Sequence, residues 1–130
     1  MKKTMMFYFF SCILLILVAC NTETSSTMFK GEGEKWIGEL TTSYDNGVEK
    51  QSLKIHYKGD RLEDIQVKTV EVSNDFFGWK VYDIQLDEEG NYYVKEDFET
   101  ENKTPSSSKI YLIIEGVESE TVLLSYGPQE

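Results

Sequence analysis

The 130-residue chain contains one histidine, two cysteines and two prolines, and Arg61 is its one arginine. Each scarcity excludes something. One histidine and two cysteines cannot supply a zinc site of the ordinary kind. No G-x-S-x-G elbow, phosphate-binding glycine loop or dinucleotide fingerprint occurs. The first proline is Pro105, so no proline before it interrupts strand pairing. Cations are also short: 13 Lys and Arg face 23 Asp and Glu, for a formal charge of −10. A chain this acidic lacks the means to neutralise phosphates, which argues against nucleic acid as a partner.

What is present begins with the leader. Lys2 and Lys3 precede an apolar run, Met5 to Ala19, broken only by Ser11. The run is shorter than the roughly 20 residues a bilayer-spanning helix needs, and no basic residue follows it until Lys30. It ends in Leu17-Val18-Ala19-Cys20. This ending resembles the lipobox of bacterial lipoproteins, in which a diacylglycerol is thioether-linked to the cysteine and the chain is cut just before it. The resemblance implies a signal peptide over residues 1–19, cleavage between Ala19 and Cys20, and lipidation with palmitate-type chains at Cys20. It also implies a lipid-anchored place on the extracytoplasmic face of the cell membrane. An ordinary signal peptide cut near Ala19 and an uncleaved membrane anchor are the competing readings.

Cleavage would remove Lys2, Lys3 and Cys12, leaving eleven Lys and Arg against 23 acids, a formal charge of −12. Cys20 would then be the one cysteine left, occupied by lipid, so neither a disulfide nor a free thiol is expected. Charge of this sign keeps an exported domain soluble and is repelled by anionic headgroups. A cationic partner is the sharper alternative.

Residues 20–30 comprise the candidate lipidated cysteine and a Ser/Thr-rich stretch that reads as a flexible linker, on the order of 20 Å across as a coil. Residues 31–130 suffice for one domain with one core. Its periodicity is two. Trp36, Gly38, Leu40, Thr42 and Tyr44 share one face, and Asp45-Asn46-Gly47 is a strong hairpin signal. Leu53, Ile55 and Tyr57 alternate with Lys54, His56 and Lys58. Ile65 and Val67 then fall out of phase with Val70 and Val72, which predicts a bulge near Lys68-Thr69. Helical spacing across Leu62 to Val72 is the rival, and the β-branched content favours a strand. Tyr82, Ile84 and Leu86 read as an inward face, as do Val122, Leu124 and Tyr126. Apolar residues on both sides of Lys109 to Glu115 predict a central strand covered on both faces. The fold expected is all-β, a single antiparallel β-sandwich of about seven strands after a cleaved signal peptide, with a small closed barrel as the alternative.

Phe29-Lys30-Gly31-Glu32-Gly33-Glu34-Lys35-Trp36 resembles the F-x-G-E-x-E-x-W opening of small, functionally unassigned lipoproteins of Bacillus-like Firmicutes. Gly116 to Leu124 resembles their last hairpin, a turn followed by E-x-[IVL]-x-L. The resemblance implies a Gram-positive host and an all-β domain, and carries over no activity.

His56 reads as a solvated strand residue between two lysines. Asp87-Glu88-Glu89-Gly90-Asn91 lacks the alternating acids and distal glutamate of a calcium loop and reads as a turn. No catalytic residue, cofactor or metal is therefore expected. The functional lead lies in loop aromatics. Phe76, Phe77 and Trp79 beside a glycine, and Tyr92 and Tyr93 at the next hairpin, are candidate partner-binding residues, with plugging of the core as the competing role. Two adjacent residues cannot both point inward from extended backbone, so one of Phe76, Phe77 and Trp79 should be exposed and another buried. By strand parity Trp79 should face outward. The expected role is a membrane-anchored binding or interaction module for an unidentified protein or peptide. An accessory or scaffold subunit of an envelope complex and a hydrolase are the alternatives.

Overall fold

The computed structural model describes residues 24–94 and 98–127. The leader, Ala19 and Cys20 lie outside the described residues. Among the described residues nine strands form two antiparallel sheets. In the first, β1 (Thr24–Glu32), β2 (Trp36–Asp45) and β3 (Val48–Tyr57) form a meander. Two short strands, β6 (Asn91–Tyr93) and β7 (Phe98–Thr100), both pair with β3. The second sheet runs β5 (Gly78–Ile84), β4 (Val67–Ser73), β8 (Ile110–Gly116), β9 (Glu120–Leu124). The architecture is an all-β sandwich, with two more strands than the sequence pattern suggested.

The first extra strand corrects the linker. Thr24–Glu32 pairs along its whole length with Asp45–Ile37 of β2. Its serines and threonines lack apolar periodicity, but Phe29 is fully buried and the backbone ladder supplies the rest. Backbone pairing does not depend on side-chain polarity, which is why the composition concealed this strand. The second, β7, is three residues long and gives no periodic signal.

The Asn46-Gly47 turn is a two-residue hairpin in which both central residues have positive φ, 51° and 82°, and Asp45 pairs with Val48. One 3₁₀ turn, Leu62–Asp64, precedes β4, so the helical rival shrinks to a single turn. The bulge is where the phase slip put it: the β4–β8 register shifts between Val67 and Thr69.

Three inward assignments are corrected. In β5, Tyr82 is 67 % exposed, while Trp79 and Val81 pack on the core. The β4–β5 register runs Val67↔Ile84 and Thr69↔Tyr82, and the residue between, Asp83, has φ +54°. The phase step in β4 is thus matched by one in β5, so Ile84 and Val81 both point inward from opposite parities. Tyr126 is exposed because the β9 ladder ends at Leu124. Tyr111 is also exposed and Ile113 half-buried. β8 is central in its sheet, but its outer face is not covered.

The sheets are joined at one border by a backbone bridge. Lys30 and Ser125 exchange two N–H···O bonds of 3.0 Å. β1 passes so close to β9 that a Cβ on Gly31 would overlap the Leu123 carbonyl oxygen. One turn along, the Glu120 carboxylate accepts from the Lys35 and Trp36 amides at 3.2–3.4 Å. Phe29 to Trp36 therefore meets Glu120 to Leu124 here. At the opposite border Trp79 of β5 stacks on Phe98 of β7, with ring centroids 4.1 Å apart and 8° between planes.

Gly31→Ala should force β1 off β9 and cost about 2 kcal/mol or more, as overpacking does. Gly47→Ala meets open space and should cost only the left-handed backbone penalty, about 1 kcal/mol. Urea unfolding followed by tryptophan fluorescence ranks the two.

Candidate functional site

The five aromatics proposed from the sequence do not form one surface. Asn74 starts the β4–β5 turn, and its Oδ1 accepts from the amides of Phe76 and Phe77 at 2.8 and 2.9 Å. That Asx turn fixes two adjacent side chains on opposite sides. Phe76 stands 71 % exposed, and Phe77 lies against the core. Trp79 points inward, against the outward expectation, because the phase step at Asp83 decouples it from Ile84. Tyr92 is half-buried against the core beside β3. Tyr93 is 51 % exposed on the outer face, with the Lys54 ammonium 5.4 Å from its ring centre. Only Phe76 and Phe77 share a site.

That site is the end of the sandwich where the β4–β5 turn meets the 101–109 loop. Two shallow depressions flank Phe76. One is lined by Phe77, Lys103 and Pro105, the other by Asn74, Lys109 and Tyr111. Each carries one lysine and one acid, Lys103 with Glu101 and Lys109 with Asp75.

Behind this end lies a buried polar knot that the sequence reading missed. Glu49 is 1 % exposed and Gln51 fully buried. Gln51 Nε2 donates to Glu49 Oε1 at 2.9 Å. The Thr104 amide donates to Glu49 Oε2 at 2.6 Å, and the Thr104 hydroxyl to Oε1 at 2.5 Å. Trp79 Nε1 donates to Gln51 Oε1 at 2.8 Å. The signal was present. Glu49 and Gln51 have the parity of Leu53 and Ile55, but their polarity suggested that the inward face began at Leu53. Every oxygen of the knot faces a donor within the protein, so it reads as a structural lock on the 101–109 loop.

The opposite end holds a cavity of about 300 Å³ between the sheets, lined by Trp36, Tyr57, Ile65, Val67 and Ile114. The Trp36 and Tyr57 rings sit 5.1 Å apart at 57°. The Lys35–Glu118 ion pair and Asp64 lie at its rim. Its walls suit an apolar group and its rim a cation. Nearby, His56 Nδ1 lies 2.8 Å from Asn91 Oδ1. Asp87 Oδ1 accepts from the amides of Glu89 and Asn91 at 2.9 Å, which holds this acidic turn as an Asx turn. Among the described residues no group of three or more His, Cys, Asp or Glu is gathered as metal ligands would be. No helix among them is long and apolar enough to cross a membrane.

Comparison of the chain with family models, curated proteins and solved structures finds no match.

The two aromatic tips and the knot respond differently to substitution. Thr104→Val leaves the buried Glu49 carboxyl short of a donor and should cost about 1–3 kcal/mol. Trp79→Ala loses the Phe98 stack and the Gln51 bond and should cost about 3 kcal/mol. Phe76→Ser should stay within about 0.5 kcal/mol of the parent. Thermal unfolding of the three variants separates them.

Proposed function

We propose that this chain is a cell-envelope lipoprotein, anchored through Cys20 to the extracytoplasmic face of the membrane, whose β-sandwich is a non-catalytic binding or interaction module. The observation that carries the reading is the ending Leu17-Val18-Ala19-Cys20 on a short apolar run behind two lysines. The folded strand β1, already paired at Thr24, four residues past that cysteine, is compatible with it. The non-catalytic part is supported by the chemistry at the reactive side chains. Glu49 is closed from solvent and satisfied by Gln51 and Thr104, and His56 is engaged by Asn91.

A second reading, an accessory subunit of an envelope assembly, draws on the outer face of the second sheet. Exposed Tyr111 and Leu123 lie directly opposite one another in the β8–β9 register, beside half-buried Ile113. Crosslinking in membranes followed by purification should then recover a partner through this face, and Tyr111→Asp should lose it.

For the anchor, Cys20→Ser should abolish labelling by a palmitate analogue and yield an unprocessed or shed protein. A processed, lipid-labelled, detergent-partitioning species in that variant overturns the assignment.

A further inference from the structure

Connections between strands gather at two ends of the sandwich. At one end lie residues 33–35, 58–66, 85–90 and 117–119; at the other, 46–47, 74–77 and 101–109. The first group holds one acid and one base in 33–35, three acids and two bases in 58–66, three acids in 85–90, and one acid in 117–119. That totals eight acids against three bases. The second group holds Asp75 and Glu101 against Lys103 and Lys109, and is neutral. Within these seven connections the acidic excess lies at one pole.

The chain enters the domain at the neutral pole, because Thr24 pairs with Asp45 beside the Asn46-Gly47 turn. Four residue steps separate Cys20 from Thr24, and they span at most about 14 Å whatever their conformation. The ten residues of β2 extend about 33 Å along the sandwich. A lipid on Cys20 would therefore hold the neutral pole within a fraction of the domain's length of the bilayer. The acidic pole would be turned away from anionic headgroups, which repel it within a Debye length.

The neutral pole also has the chemistry of a membrane interface. Phe76 projects 71 % exposed, and the depressions on either side of it hold Lys103 with Glu101 and Lys109 with Asp75, so no net negative charge surrounds the ring. Aromatic rings settle at headgroup level, and flanking lysines meet lipid phosphates. The Glu49 knot fixes the 101–109 loop that presents Lys103. From the tether length, the charge segregation and this cluster, we infer that the Phe76 end is a bilayer-seating face, with the ring in the headgroup layer and the acidic pole directed outward. The inference rests on lipidation at Cys20.

The test uses the full processed chain, purified with its lipid and reconstituted in vesicles of phosphatidylglycerol and phosphatidylethanolamine doped with a headgroup-nitroxide lipid. A fluorophore is placed by Ser107→Cys beside Phe76, or by Glu88→Cys at the acidic pole. Quenching of the Ser107 site but not the Glu88 site is expected, with loss of that quenching when Phe76→Asp is added. Equal quenching at both sites, stronger quenching at Glu88, or no effect of Phe76→Asp overturns the inference. So does a Ser107→Cys site that is shielded from a water-soluble maleimide in cells yet unquenched in vesicles, which would assign the face to a protein partner. The intact mass of the parent protein separates the two readings: absence of lipid on Cys20 overturns the anchor itself, whereas lipid present with the wrong quenching pattern overturns only the orientation.

Discussion

The carboxyl of Glu49 is the constraint around which one half of the sandwich is arranged. A buried carboxyl without donors would destabilise the fold by several kcal/mol. Its donors come from Gln51 two residues along β3 and from the backbone and hydroxyl of Thr104, 55 residues away. Gln51 in turn takes the Trp79 indole N–H from the other sheet, and Trp79 lies flat on Phe98. Satisfying one polar group therefore fixes the 101–109 loop, the short strand β7 and the separation of the two sheets at that border. The opposite border needs no such device, because there the backbones of β1 and β9 touch and bond directly.

How much was legible followed from how each element is stabilised. Strands held by apolar side chains announced themselves by period two: Trp36, Leu40 and Thr42, Leu53 and Ile55, Ile110, Leu112 and Ile114, and Val122 and Leu124 all face the core as read. The bulge at Lys68 was visible because it breaks that period within one strand. Its counterpart at Asp83 was not, since a positive φ at a non-glycine residue leaves no mark in the sequence. Tyr82 and Trp79 were accordingly assigned to the wrong faces. β1 was missed because it is held by main-chain bonds under a polar sequence. The buried pair Glu49 and Gln51 was missed because polar residues on an inward parity look like solvent-facing ones until their partners are known.

The segments Phe29 to Trp36 and Glu120 to Leu124 share one physical role. Phe29 fills the core, Gly31 lets β9 pass, and Glu120 caps the amides that precede the Trp36 side chain. They are two halves of one seam, so a change in either half must be met in the other. In the loop aromatics the opposite holds. Phe77 and Trp79 serve the core, and Phe76 is the residue released to the surface.

The matched phase step at Lys68 and Asp83 has a consequence for crowding. β5 borders its sheet, and among the described residues no strand pairs with its outer side. A flat bordering strand is a template for the same strand of another molecule. Asp83, kinked at φ +54°, interrupts the row of amides and carbonyls that such pairing would follow. Lys80, whose ammonium lies 5.9 Å from the Tyr82 ring centre, places a charge beside the one exposed aromatic of that strand. Wherever copies of this chain are crowded together, this border would resist their joining edge to edge into fibres.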